Sequence, residues 1–159
     1  MEKCSASHLL SCPVVFVSTR YENQTDIMIG TAMFVSEVES LLAVSLTKGH
    51  LTSQLIEKAG GAFTVIAASE GQEDLFKKLI ELKGVETDKF ASLCVSTLPE
   101  RTAKPPIPER SAAWFDCQTV AKQEIHHYSV LIARVTAYDD LGKPPLIWHS
   151  DKLFTLNPL

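Results

Sequence analysis

The chain contains no Cys-x-x-Cys pair, no run of Lys and Arg, no apolar stretch near the length of a membrane span and no Gly-x-Gly-x-x-Gly. Each absence removes a class of protein. The four cysteines, Cys4, Cys12, Cys94 and Cys117, have no His at zinc-finger spacing, so neither a metal knuckle nor a thioredoxin-type dithiol is supported. They read as reduced thiols, with Cys117 a small buried hydrophobe. Fifteen Lys and Arg stand against 19 Asp and Glu, a net charge of −4, which offers little phosphate neutralisation to duplex nucleic acid. The five-residue run Pro13 to Val17, behind the weakly basic Met1-Glu2-Lys3, is too short for a signal peptide, and a span needs roughly 20 apolar residues. A cytoplasmic location without membrane attachment is expected. No Rossmann fingerprint is present to grip a dinucleotide, and no Ser-His-Asp or Cys-His constellation marks a nucleophile.

What is present is an ordinary globular composition, 45% apolar over 159 residues, enough for one core without disulfides. A single domain over 1–159 is expected, because two would each have an undersized core. β-Branched apolar runs at Pro13 to Ser18, Asp26 to Val35, Leu41 to Leu46 and Ala62 to Ala68 read as strands. A helix over Leu51 to Lys58 buries Leu51, Leu55 and Ile56 and stops at Gly60-Gly61. A second carries Leu75, Phe76, Leu79 and Ile80 on one face, with Ser69 and Gln72 as a capping box and Gly84 as its stop. The prolines between Leu98 and Pro108 predict an exposed excursion, a candidate lid. Strands return at Ala113 to Ala121, Tyr128 to Tyr138 and Pro145 to Trp148. Many strands and few helices predict a mainly β fold, one antiparallel barrel with appended helices.

Chemistry concentrates where Leu41 to Leu46 passes through Thr47-Lys48-Gly49-His50 into the helix beginning at Leu51. Unpaired first-turn amides and the helix dipole suit an anion there; Lys48 adds a charge, and Thr47 and Thr52 add hydroxyls. The alternative is that Thr47 or Thr52 only caps the helix and Lys48 is solvated. Upstream, Gly30 and Thr31 interrupt the apolar strand Asp26 to Met33. Such small residues let a flat ring approach the backbone, or mark a bulge in a core strand. The neighbours His126-His127 would point to opposite faces of a strand and could not share one metal ion. No metal is expected. Trp148 could stack on a ring or belong to the core.

The order of these pieces resembles the flavin reductase-like proteins, the FMN-binding split barrels that include flavoredoxins. The resembling features are Cys12-Pro13-Val14-Val15, Asp26 to Ala32, Ala43-Val44-Ser45 leading into Lys48 to Thr52, and Gly61 to Val65. Then come Asp88-Lys89-Phe90-Ala91, Trp114 to Cys117 and Pro145 to His149. They run collinearly along almost the whole chain.

The resemblance implies a homodimer holding one FMN per subunit near the interface. The isoalloxazine edge would lie against backbone at Met28, Ile29, Gly30, Thr31 and Ala32. The ribityl chain and phosphate would be held at Ser45, Leu46, Thr47, Lys48, His50 and Thr52. Two departures stand out. Ala67 follows Phe63 to Ile66 where the family usually carries Asn, and His127-Tyr128 stands where many members carry Asp-His ahead of the long C-terminal strand. His127 and Tyr128 are therefore the substrate-side candidates.

The implied activity is an FMN-dependent reductase taking a hydride from NADH or NADPH and passing electrons to free flavin, a ferric complex or a partner protein. A non-catalytic FMN-binding electron carrier is the alternative. In either case the flavin carries the chemistry and no side-chain acid, base or nucleophile is required.

Overall fold

The computed structural model describes residues 6–82, 87–99, 101 and 103–159. Among the described residues, a 3-10 turn at Ala6–Leu9 is followed by nine strands and three α-helices: β1 (Cys12–Pro13), β2 (Val15–Tyr21), β3 (Gln24–Ser36), β4 (Leu41–Thr47), α1 (Leu51–Lys58), β5 (Ala62–Ala67), α2 (Glu73–Glu81), α3 (Lys89–Ser92), β6 (Ala113–Ile125), β7 (Tyr128–Asp140), β8 (Leu146–His149) and β9 (Lys152–Thr155). Six of the strands close a barrel in the order β2-β3-β4-β7-β6-β5, every pair antiparallel. The short strands β1, β8 and β9 form a separate sheet.

Side-chain alternation sorts the apolar residues into two cores. Val17, Met28, Val44, Leu46, Phe63 and Leu131 point into the barrel, where α1 adds Ile56. Their strand neighbours Phe16, Ile27 and Ile66 point outward and pack with Leu79 of α2, Phe90 of α3 and Leu146 of β8. α1 ends where the Gly61 amide donates to the Ile56 carbonyl at 2.8 Å, as Gly60-Gly61 led one to expect.

The register of β3 positions the site. β3 pairs with β2 through residues 24–30 and with β4 only from Thr31 to Ser36. Before Gly30 its edge away from β2 has no strand partner; after Gly30 the edge away from β4 has none. Among the described residues, two stretches of peptide edge are thus left for other groups.

Several expectations are corrected. The pairing runs regularly through Gly30, and the irregularity in β3 falls instead between Phe34 and Ser36. A Cβ on Gly30 would lie 2.9 Å from Val17 Cγ2 and 3.3 Å from Leu46 Cδ2, so crowding inside the barrel is a sufficient reason for glycine. The capping box forms by half: the Ser69 amide donates to Gln72 Oε1 at 2.9 Å, but the Ser69 hydroxyl donates to the Arg110 and Glu70 carbonyls. The helix consequently begins at Glu73. Gly84, its expected stop, and Cys4 lie outside the described residues.

The proline-rich segment is not an exposed excursion. Pro106, Ile107 and Pro108 are buried. The Ser18 hydroxyl donates to the Pro106 carbonyl at 2.6 Å, and the Leu98 amide to that of Ile107 at 2.9 Å. Arg101, its Cζ over the Trp114 ring at 4.5 Å from the centroid, donates to Asp116 and to the Thr64 hydroxyl. Proline lacks a ladder donor but can be buried, and here the segment is laid as a strap along the barrel wall. Glu100 and Thr102 of this segment lie outside the described residues. His126 and His127 occupy the turn between β6 and β7 rather than a strand.

Candidate functional site

At the β4–α1 corner, Gly49 takes φ +81°, a conformation open to glycine, and nothing lies within 4 Å of where its Cβ would stand. His50 is the N-cap residue of α1 with extended backbone, and its side chain makes no capping hydrogen bond. The Ser53 hydroxyl donates back to the Thr47 carbonyl at 2.8 Å, and the Lys48 amide donates to the His127 carbonyl at 2.8 Å. The tip of the β6–β7 hairpin is thereby tied to the start of the helix.

Beside this corner opens a cleft of about 250 Å³. Met28 and Ile29 line it from the unpartnered edge of β3, Thr47 and His50 from the corner, Tyr128 from β7 and Lys89 from α3, with Leu79 and Leu82 behind. Five of the sequence-predicted residues meet here. A flat, hydrogen-bonding ligand with an anionic tail suits such a set: peptide groups without strand partners and the N-terminus of a helix.

The other expected residues divide. Gly30 and Thr31, with Ile29, line a second, largely apolar cleft of about 390 Å³ against Cys12, Phe76 and Trp148. Ala32 and Leu46 are buried in the barrel, so only their backbone could meet a ligand. Ser45 is half-buried, paired with Thr31 and Val130. Trp148 stands edge-on to His8, ring centroids 5.3 Å apart. Ala67 sits between Val15 and Ala113 and brings no polar group.

Lys48 is half-exposed and its Nζ lies 3.4 Å from Glu124 Oε2. Lys122, 3.1 Å from Glu124 Oε1, and then Lys48 hold that carboxyl below the usual range. Thr52 departs from expectation: it is fully buried and its hydroxyl donates to Asp26 Oδ2 at 2.6 Å, because the helix turns that residue toward the barrel end rather than toward the cleft.

Sequence reasoning gave no role to Lys89. It is 2% exposed, its Nζ 2.8 Å from Asp26 Oδ2 and its amide 3.3 Å from Oδ1. Asp26 is fully buried and accepts from Thr52 as well. Asp88 caps α3, accepting from the Phe90 amide at 2.9 Å, and also accepts from the Thr25 hydroxyl at 2.8 Å. The signal was the apolar company of Lys89 in Asp88-Lys89-Phe90-Ala91, where a lysine beside a buried phenylalanine has to find an anion.

An antiparallel barrel whose third strand changes partners midway, with a ligand-sized cleft at the changeover, defines the split-barrel class. The chain belongs to the flavin reductase like domain family, whose sequence model matches residues 7–157. Membership makes it an oxidoreductase with flavin as its cofactor class. Solved structures share the fold. The styrene monooxygenase flavin reductase from Pseudomonas putida superposes with TM-score 0.79 at 22% identity, over 100% of this chain and 99% of that one. The NADH:FAD oxidoreductase from Streptomyces globisporus gives 0.82 at 14% identity, over 96% and 89%. An FMN-binding protein from Thermus thermophilus, solved with bound p-hydroxybenzaldehyde, gives 0.78 at 20% identity, over 93% and 87%. No curated protein sequence matches the chain.

Proposed function

We propose that the chain is a flavin reductase that binds FMN in the cleft beside the β4–α1 corner and takes a hydride from NADH or NADPH. Electrons then pass to free flavin, a ferric complex or a redox partner protein. The observation that carries this reading is the meeting of Met28, Ile29, Thr47, His50, Lys89 and Tyr128 around one cleft at the unpartnered edge of β3. Bound flavin supplies the hydride acceptor and the one- or two-electron chemistry. The chain's own residues have simpler tasks. Backbone at Met28 to Ala32 would orient the ring, and the α1 amides with Thr47, Lys48 and His50 would hold the phosphate; Ser45 and Leu46 would contribute peptide groups. Thr52 acts at second hand, through Asp26.

A homodimer fits the exposed apolar residues Met33 and Val35 of β3 and Val38 of the turn after it, which a partner copy would cover. Among the described residues no helix is long and apolar enough to cross a membrane. We read the chain as one domain and expect it in the cytoplasm.

One observation favours the electron-carrier alternative. His127 is exposed in the hairpin turn, with its carbonyl engaged by the Lys48 amide, and Tyr128 rather than the His127 imidazole lines the cleft. Mixing FMN-loaded protein with NADH in a stopped-flow spectrometer decides between them. Bleaching near 450 nm within seconds supports the reductase; an unchanged spectrum of bound FMN supports the carrier. Failure to retain any flavin overturns both.

A further inference from the structure

Three donors converge on the buried carboxylate of Asp26: the Thr52 hydroxyl at 2.6 Å, the Lys89 ammonium at 2.8 Å and the Lys89 amide at 3.3 Å. A hydroxyl, an ammonium and a peptide N–H around one oxyanion are the donors that a phosphate monoester would recruit. Here the chain supplies the anion itself. Lys89 lines the candidate cleft, whereas Asp26 stands behind it with no exposed surface. A ligand in the cleft therefore meets a lysine whose charge is already matched at 2.8 Å.

We propose that Asp26 is a specificity-determining residue: by neutralising Lys89 at the base of the cleft it removes one phosphate-holding charge, so that the preference for FMN over riboflavin rests on the β4–α1 corner alone and is smaller than an unpaired Lys89 would make it. The inference rests on the reading that the cleft holds flavin. An ion pair seen from several ångströms away is a dipole with little net field. Removing the carboxylate alone leaves Lys89 without a counter-ion in a site of low dielectric, so that a phosphate dianion in the cleft becomes the anion that keeps it charged and is held strongly. Riboflavin lacks the phosphate and is indifferent to that charge.

The test measures dissociation constants for FMN and riboflavin by flavin fluorescence quenching. Measurements use the wild-type chain, Asp26→Asn and the double variant Asp26→Asn/Lys89→Met. Asp26→Asn is expected to raise the preference for FMN over riboflavin by about tenfold, with the gain fading as salt is added. In the double variant the pair is replaced by neutral groups of similar size, a change that folds generally tolerate. Its preference is expected to match wild type within about twofold, because a neutralised pair and a neutral substitute present the same field. An unchanged preference in folded Asp26→Asn overturns the proposal, as does a loss of FMN preference in the double variant, which stays informative if the single variant does not fold. Binding of neither flavin by the wild-type chain instead overturns the cleft reading, and this inference falls with it.

Discussion

Lys48 Nζ faces Glu124 Oε2 across 3.4 Å, joining the turn before α1 to the end of β6. An exposed pair of this kind adds little to stability and is readily exchanged for a stronger anion. Lys48→Ala is expected to weaken FMN retention by about tenfold or more, the loss of one charge-assisted contact. Glu124→Gln should tighten it by at most about fivefold. Equilibrium dialysis against FMN checks both; unchanged retention in Lys48→Ala removes the lysine from the site.

Thr52 belongs to the fold rather than to the cleft surface. Thr52→Val removes one of the donors to buried Asp26 and should lower unfolding free energy by about 1–3 kcal/mol in urea titrations. A variant as stable as wild type would show that Asp26 is satisfied without the hydroxyl.

Arg101 and Asp116 fasten the proline-rich strap to β6, with guanidinium nitrogens 2.5 and 3.2 Å from the carboxylate oxygens. Burial pushes the Asp116 carboxyl up, but hydrogen bonds from Arg101 and Thr64 and the charges of Arg101 and Lys104 outweigh it and bring it below the ordinary 3.8. A depressed folded-state value contributes stability above the unfolded value, and that contribution disappears as pH falls through the folded one. The stability gap between wild type and Asp116→Asn should hold at neutral pH and narrow below about pH 4. Thermal unfolding between pH 7 and pH 2 reads it. A gap constant throughout would show that the pair is not what makes the strap acid-sensitive.

Cys117 is 3% exposed inside the barrel, and burial pushes its thiol up to about 12. A protonated, enclosed thiol is a poor nucleophile. Native protein at pH 8 should therefore be alkylated at exposed Cys94 and half-buried Cys12 well before Cys117, which reacts only on unfolding. Peptide mass spectrometry after timed labelling gives the order.

Gly30→Ala places a methyl 2.9 Å from Val17 Cγ2 and should cost about 1–3 kcal/mol by overpacking. If crowding in the barrel is the reason for the glycine, Val17→Ala in the same chain restores part of that stability. No recovery would point back to the cleft side of the strand.

Much of the barrel was readable because burial on one face leaves a period that survives in sequence. β3, β4 and β7 carry it, and α1 coincides with its expected limits of Leu51 and Lys58. The outer half of the β6–β7 hairpin was not: Ala121-Lys122-Gln123-Glu124 is exposed on both faces, and its strand character comes from pairing alone. The four-residue strand β9 is held in the same way by β8. The strap was misjudged because proline reports on hydrogen-bonding capacity, and Ile107 decides where the segment lies.

For the site, the corner from Thr47 to His50 was visible as a strand, a glycine turn and a helix start, all local features set by neighbours in the chain. The partnership of Asp26 with Thr52 and Lys89 was not. Those residues lie 26 and 63 positions away, and nothing in a local window says that a lysine will be buried or which carboxylate will meet it. Local propensity and periodicity thus wrote the strands, the helices and the anion-seeking corner into the chain. Closure of the barrel settled which charges face the cleft and which cancel behind it, because electrostatic partners are chosen by distance in space, which the fold sets.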